Sequence, residues 1–131
     1  PACGMATLAT PLRSREALHD PACVKVVMDA AGRALYFSRS PIPHVRDWED
    51  ALLDADPPLF FQHVGLYAYR RDFLLHLAEM PESLLEQAEK LEQLRVLQAG
   101  FPIRVGVFEA PCRGIDTADD YRAFVSRAGT C

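Results

Sequence analysis

Alternation of polar and apolar positions predicts a β-strand at the centre of the chain, over Phe60–Arg70. One face of this strand carries the polar and aromatic positions, His63, Gly65, Tyr67 and Tyr69. The other face carries three apolar residues, Val64, Leu66 and Ala68. Gly65 has no side chain between an imidazole and a phenol, which leaves a gap where a small polar ligand or another backbone could approach. The alternative is a half-buried strand whose aromatic face packs on a helix.

The same kind of pattern predicts the other elements of an α/β chain. Further strands are expected over Met5–Thr10, Val24–Asp29, Ala34–Phe37 and Ile103–Phe108, the middle two joined as a hairpin at Gly32. Helices are expected over Ser14–His19, Asp72–Glu79, Ser83–Ala99 and Thr117–Arg127. Ser14 caps the first helix, Ser83 with Glu86 caps the third, and Gly100 ends it. Asp116 or Thr117 can cap the last helix.

Two charged residues stand out in this arrangement. On the wheel of the helix predicted over Ser83–Ala99, Glu92 falls inside an apolar arc, where a carboxylate needs a cationic partner or a hydroxylated ligand. Arg39 lies just past a strand end, on a segment made stiff by Pro41 and Pro43. The structural alternatives are a rim carboxylate paired with Lys or Arg and a solvated surface arginine. The segment from 44 to 58 is expected to be a loop with a short helical turn, and it holds the only Trp, Trp48.

Composition narrows the function classes. The 131 residues fit one domain with a real core, and the net charge of −4 gives no basic footprint for nucleic acid and no polybasic membrane patch. The four cysteines are far apart and form no C-x-x-C pair, which disfavours a metal cluster and a thioredoxin-type motif. No apolar run approaches the ~18 residues needed to cross a bilayer. Because residue 1 is Pro and the first Met is Met5, we expect a fragment or a processed piece.

Four motifs in one order resemble the CMP-Kdo synthetase family, 3-deoxy-manno-octulosonate cytidylyltransferases. They are Ala34–Pro43 (ALYFSRSPIP), His63–Arg70 (HVGLYAYR), Leu91–Arg95 (LEQLR) and Gly114–Thr117 (GIDT). The segments Met5–Ala9 and Val24–Val27 also look like this family, and the resemblance runs from about Met5 to about Val125. It implies a mixed-sheet α/β fold of the nucleotide-sugar-transferase, Rossmann-like kind, with residues 1–131 forming a single partial domain. That domain would be the carboxy-terminal, sugar-binding and dimerising portion.

The resemblance also implies an activity and a set of site residues. The family transfers CMP from CTP to the acid sugar Kdo (3-deoxy-manno-octulosonate), with release of pyrophosphate and with Mg²⁺ as cofactor, for lipopolysaccharide synthesis. The positions that match sugar-binding residues are Arg39, His63, Tyr67, Glu92 and Gln93. Asp116 matches the catalytic metal carboxylate. These side chains suit the sugar, since a guanidinium can neutralise its acid group and the others can bind its hydroxyls.

Departures from the family pattern limit what the chain is expected to do alone. None of its residues resembles the basic, glycine-containing loop that holds a triphosphate, and the second metal-binding Asp has no counterpart. We therefore expect the 131 residues alone to be inactive as an enzyme. Leu85 and Ala118 stand where the family usually has Pro, and the loop before Gly114 is one residue short.

Two function classes follow. The first is a cytoplasmic enzyme part that uses CTP and Kdo, forms a homodimer through the hairpin or the Trp48 loop, and binds neither nucleic acid nor membrane. The second is a non-catalytic module that binds an acid sugar or drives oligomerisation. A relative specific for another acid sugar, such as a sialic acid, is a third alternative. Kdo binding that responds to CTP favours the first class, and Kdo binding that does not respond favours the second.

Overall fold

The computed structural model describes residues 2–109 and 117–128. Its strands are β1 (Met5–Pro11), β2 (Lys25–Met28), β3 (Ala34–Ser38), β4 (Phe61–Tyr69) and β5 (Ile103–Val107). Its α-helices are α1 (Arg15–His19), α2 (Arg71–Glu79), α3 (Leu84–Glu89), α4 (Gln93–Gln98) and α5 (Ala118–Ala128), and a 3-10 helix spans Asp50–Asp54. The predicted strands are confirmed, and so are α1 with its Ser14 cap and the short helical turn in the loop after residue 44.

The strands within the described residues form one mixed sheet in the order β3-β2-β4-β1-β5. Strand β4 runs antiparallel to β1 and β2, whereas β5 runs parallel to β1. A parallel pair requires a crossover connection, and the chain between β1 and β5 carries helices α1 to α4. The expected mixed-sheet α/β class is therefore confirmed.

The hairpin of β2 and β3 reaches across to the far strand of the sheet. Gly32 adopts φ +72° in its turn, as expected for a glycine at this position. The Val105 N–H of β5 donates to the Gly32 carbonyl at 2.9 Å, and Arg33 forms a bridge with Arg104. The turn of the hairpin is thus held against β5.

The main core lies between the sheet and α4. It includes Met5 and Ile103 from the sheet and Leu94 and Val96 from α4, with Leu94 and Val96 fully buried. Strand β4 turns its aromatic face toward this core, where Tyr67 and Tyr69 pack as partly buried residues. A second cluster joins Leu12, Leu18, Cys23 and Phe60, and the Trp48 ring packs against it, 5.8 Å from Phe60 between centroids.

The opposite face of β4 is more open than its apolar composition indicates. Leu66 is 62% exposed and Ala68 is exposed, while Val64 is half-buried. The aromatic face of β4, by contrast, packs against the main core through Tyr67 and Tyr69, as the alternative interpretation predicts. The open space expected at Gly65 is present, since no atom lies within 4 Å of the position a Cβ would take.

The single helix predicted over Ser83–Ala99 is wrong. The Ser83–Glu86 capping box forms as predicted, but α3 ends at Glu89 and Lys90 adopts the left-handed conformation, with φ 54° and ψ 47°. Burial explains the break, because Leu91 and Leu94 are buried whereas Leu84 is 75% exposed. The turn at Lys90 reorients the chain so that the apolar side of α4 meets the sheet.

No helix within residues 2–109 and 117–128 has the length and apolar character needed to cross a membrane.

Candidate functional site

A bulge in β4 places His63 against β1. Along β1, Thr7 pairs with Tyr67 and the next residue, Leu8, pairs with Val64, so β4 carries two extra residues at this point, Gly65 and Leu66. The Thr7 hydroxyl lies 3.1 Å from the Val64 carbonyl and 2.9 Å from the Leu66 carbonyl, and it donates to these bulge carbonyls. Nε2 of His63 lies 2.9 Å from the same hydroxyl oxygen.

This geometry sets the protonation of His63. Because the Thr7 proton goes to a carbonyl, the Thr7 oxygen accepts from Nε2–H, which leaves Nδ1 of the neutral ring as an acceptor. Burial lowers the pKa of His63 to about 4. The ring also makes an edge contact with Phe37 at 5.0 Å between centroids. At neutral pH, His63 is thus an oriented, uncharged imidazole that can accept a hydrogen bond.

Two tyrosines continue this surface along β4. The Tyr67 ring lies 5.4 Å from the His63 ring and 6.0 Å from the Tyr69 ring, between centroids. Burial raises the pKa of Tyr67 well above its usual range, and the nearby Tyr69 and the carboxylate of Glu92 act in the same direction. Both phenols therefore stay protonated at neutral pH, as hydrogen-bond donors.

The start of α4 faces these tyrosines. A small cavity of about 70 Å³ has Tyr67, Tyr69, Glu92 and Gln93 in its lining. Gln93, the first residue of α4, is buried, whereas Glu92 is exposed. The prediction that Glu92 lies inside an apolar arc is wrong, because the turn at Lys90 breaks the helix on which that arc was drawn. The cavity has room for one or two hydroxyl groups, so a larger sugar would lie across its mouth.

Arg39 is anchored to the backbone of two other segments. Its Nε donates to the Glu89 carbonyl at 2.7 Å, Nη1 to the Pro21 carbonyl at 2.9 Å and Nη2 to the Lys90 carbonyl at 3.3 Å. A guanidinium has five N–H groups, so at most two remain for a ligand. The side chain is therefore more constrained than a solvated surface arginine, and two N–H groups are enough to bind one carboxylate.

The predicted metal carboxylate, Asp116, lies outside the described residues. Within residues 2–109 and 117–128, no three side chains of His, Cys, Asp and Glu come together as a possible metal site.

The five predicted sugar-binding residues are thus linked by a ring contact, a shared cavity and one backbone hydrogen bond, and this set is called the connected surface below. His63 contacts Tyr67, Tyr67 shares a cavity with Glu92 and Gln93, and Arg39 binds the carbonyl of Lys90, two residues before Glu92. The surface combines one cation, one anion, an amide, a phenol and a neutral imidazole, which is the chemistry that a hydroxylated acid requires. Sequence reasoning missed Thr7, for which the available signal was a polar residue at an inward position of an apolar strand. It also missed Glu89, for which no local signal exists.

Comparison with known proteins shows the family to which the chain belongs. A family model described as "Cytidylyltransferase" matches residues 2–105. The chain is similar to 3-deoxy-manno-octulosonate cytidylyltransferase of Rhodopirellula baltica, with 52% identity over 128 residues, which is 97% of this chain and 51% of that protein. It is also similar to the protein of the same name from Syntrophotalea carbinolica, with 50% identity over 122 residues, 92% of this chain and 49% of that protein.

A solved structure agrees with this assignment. The structure of CMP:2-keto-3-deoxy-manno-octonic acid synthetase complexed with CTP superposes on 99% of this chain with a TM-score of 0.84 and 41% identity, and the match covers 51% of that protein. The expected nucleotide-sugar-transferase-like fold is therefore confirmed. The chain spans about half the length of the curated relatives it matches.

Proposed function

The chain belongs to the cytidylyltransferase family, and from that premise we propose that it is the sugar-binding part of a 3-deoxy-manno-octulosonate cytidylyltransferase. The reaction of that enzyme joins CMP from CTP to Kdo and releases pyrophosphate, and its product serves lipopolysaccharide synthesis. The observation that supports this proposal best is the connected surface of Arg39, His63, Tyr67, Glu92 and Gln93, built on a chain about half identical to enzymes of that name.

Each side chain has a role that follows from its surroundings. The two N–H groups left on Arg39 bind the sugar carboxylate, and the anchored guanidinium fixes its direction. Nδ1 of His63 accepts from one sugar hydroxyl, and the Tyr67 phenol donates to another. Glu92, exposed at the cavity mouth, accepts from one or two further hydroxyls, and Gln93 binds one beside it.

Catalysis by this part of the enzyme consists of positioning. The surface holds the acid sugar so that its anomeric hydroxyl points at the α-phosphate of CTP, and no covalent enzyme intermediate is needed. CTP binding is expected from residues outside the motifs of this chain. We propose Mg²⁺ as the cofactor and Asp116 as its ligand. The roles given above to the described residues do not involve the metal.

We also propose a homodimer in the cytoplasm. Its candidate surfaces are the hairpin of β2 and β3, where Leu35 is 61% exposed, and the loop that holds Trp48. The molar mass of the purified enzyme in solution, measured by light scattering, tests the dimer. A monomer at micromolar concentration would count against it.

The assignment of the sugar surface is tested by steady-state kinetics of the enzyme that contains these residues. Arg39→Ala and His63→Ala are each expected to raise the KM for Kdo by roughly 10- to 100-fold, the effect of one or two lost hydrogen bonds to charged or oriented groups, and to leave the KM for CTP within about twofold. Arg13→Ala and His76→Ala are matched controls, because both residues are exposed and lie outside the surface. Equal losses for the two substrates would overturn the assignment.

A further inference from the structure

Glu89, the last residue of α3, joins that helix to the end of β3. Its Oε1 accepts from the Ser38 hydroxyl at 2.6 Å and from the Tyr36 hydroxyl at 3.5 Å. Its Oε2 accepts from the backbone N–H of Arg39 at 2.9 Å. One half-buried carboxylate therefore accepts hydrogen bonds from three donors at the end of β3. An amide side chain offers only one oxygen for them, and an apolar side chain offers none.

The same two segments are joined a second time through the arginine. The Arg39 guanidinium donates to the backbone carbonyls of Glu89 and Lys90. The Arg39 side chain thus bonds to the Glu89 main chain, and the Glu89 side chain bonds to the Arg39 main chain. The Arg39 carbonyl accepts from the buried ammonium of Lys25. Arg39 is consequently held at its N–H, its carbonyl and its side chain.

The position of Glu89 also sets where α4 begins. Lys90 follows in the left-handed conformation, and after Leu91 come Glu92 and Gln93, at the cavity that they share with Tyr67. A shift of Glu89 relative to β3 would change the distance between the Arg39 guanidinium and the start of α4. Among the described residues, Glu89 thus bonds to Arg39 through its side chain and also lies directly before the turn that leads to Glu92.

Charge supports the same arrangement. The carboxylate of Glu89 lies near two cations, Arg39 and Lys25. Burial, the largest influence, lowers the pKa of Lys25, and Glu89 is one of the anionic groups that oppose this shift. Replacing the carboxylate by a neutral group would leave two neighbouring cations without their shared counter-charge.

We propose that Glu89 is a positioning residue, which fixes the distance and direction of Arg39 relative to Glu92 and Gln93 and thereby sets the affinity of the surface for an acid sugar. This role rests on the proposed function, since it concerns how that surface is assembled. The proposal assigns Glu89 no contact with substrate, because Ser38, Tyr36 and Arg39 already take three of the roughly four acceptor positions of its carboxylate.

The first test measures assembly without any sugar. In the enzyme labelled with ¹⁵N-arginine, the Nε–H of Arg39, assigned by its loss in Arg39→Lys, should exchange slowly with solvent because it donates to the Glu89 carbonyl. Because the backbone carbonyl is present in every variant, faster exchange in Glu89→Leu would mean that the carboxylate holds the segment in place. We expect Glu89→Leu to accelerate exchange by about tenfold or more, and the exchange rate of Glu89→Gln to lie between those of the wild type and Glu89→Leu. Unchanged exchange in Glu89→Leu would overturn the proposal.

The second test measures substrate use by the same variants. Glu89→Gln is expected to raise the KM for Kdo by about tenfold, with the KM for CTP unchanged and with less effect than Glu89→Leu. Ile103→Ala is the matched control for lost stability, because Ile103 is fully buried in the main core away from Arg39. If Ile103→Ala at equal stability raises the KM for Kdo as much as Glu89→Gln does, the role of Glu89 is merely structural and the proposal fails.

The two tests separate this proposal from the proposed function. If Arg39→Ala leaves the KM for Kdo unchanged, the sugar assignment is wrong, whereas the exchange of the Arg39 Nε–H still reports whether Glu89 positions that side chain. If Arg39→Ala raises the KM for Kdo and Glu89→Leu alters neither exchange nor KM, the sugar assignment stands and the positioning role is refuted.

Discussion

The Thr7 hydroxyl on β1 and the Nε2 atom of His63 on β4 lie 2.9 Å apart, across the bulge at Gly65 and Leu66. The same hydroxyl donates to bulge carbonyls of β4, so one small side chain both closes the irregular part of the sheet and selects the tautomer of His63. Sheet geometry and site chemistry therefore depend on the same atom.

We expect Thr7→Val to destabilise the fold and to loosen His63. Valine keeps the shape of threonine but leaves the bulge carbonyls and Nε2 of His63 without this partner, at a cost of about 1–3 kcal/mol. Urea unfolding at pH 7 measures the loss of unfolding free energy. Thr7→Ser is the control, because it retains the hydroxyl, and it should lose distinctly less. Equal losses in the two variants would show that packing, and not the hydroxyl, is what matters at this position.

The low pKa of His63 predicts a specific pH dependence of stability. Its folded pKa of about 4 lies below the unfolded value of 6.5. Between these two values the unfolded chain binds the proton and the folded chain does not, so stability is highest above pH ~6.5 and falls as the pH is lowered. From pH 7 to pH 5 the loss attributable to His63 is about 2 kcal/mol.

The contribution of His63 to the pH dependence of the unfolding free energy is measured by comparing the wild type with His63→Gln. The unfolding free energy of each protein is measured at pH 7 and at pH 5, and the difference between the two losses removes the effect of all other groups. The wild type should lose about 2 kcal/mol more than the variant. Identical losses would mean that the folded protein protonates His63 as readily as the unfolded chain does.

Buried Lys25 provides a third prediction. Its ammonium donates to the carbonyls of Asp20, Cys23 and Arg39, and the residue is fully buried. Lys25→Met keeps most of the apolar stem and removes all three donors, so we expect a loss of about 3 kcal/mol of unfolding free energy. Lys90→Met is the matched control at an exposed lysine, and it should change stability by less than about 0.5 kcal/mol. A loss for Lys25→Met no larger than for the control would refute the bridging role.

Local signals predicted much of this fold. The alternation along β4, the serine caps at residues 14 and 83 and the glycine turn at residue 32 depend on neighbours in sequence, and each is found where the chain predicts it. All five predicted sugar-binding residues were chosen by family resemblance together with residue chemistry. The structure links them by a ring contact, a shared cavity and one backbone hydrogen bond, while their roles remain predictions and Asp116 lies outside the described residues.

What could not be predicted depends on tertiary contacts. The break between α3 and α4 occurs at a lysine, not at a glycine or proline, because burial of Leu94 and Val96 on the sheet outweighs the cost of a left-handed residue. Glu86 had the sequence position of a capping residue, but it also forms a buried ion pair with Arg95 at 2.7 Å, nine residues away. Neither the helix break at Lys90 nor the Glu86–Arg95 ion pair is indicated by the residues next to it in the sequence.

The left-handed conformation of Lys90 gives the fourth prediction. A residue with a Cβ is strained at φ 54°, and glycine is not, so Lys90→Gly should stabilise the fold by about 0.5–1 kcal/mol. Lys90→Ala keeps the strain and removes the same exposed charge, which makes it the control, and it should give no gain. The measurement is the urea midpoint of each variant at equal m-value. If Lys90→Gly gains no more than Lys90→Ala, the turn between α3 and α4 is not strained at Lys90, and the kink that presents Glu92 and Gln93 would have to be held by the Glu89 contacts alone.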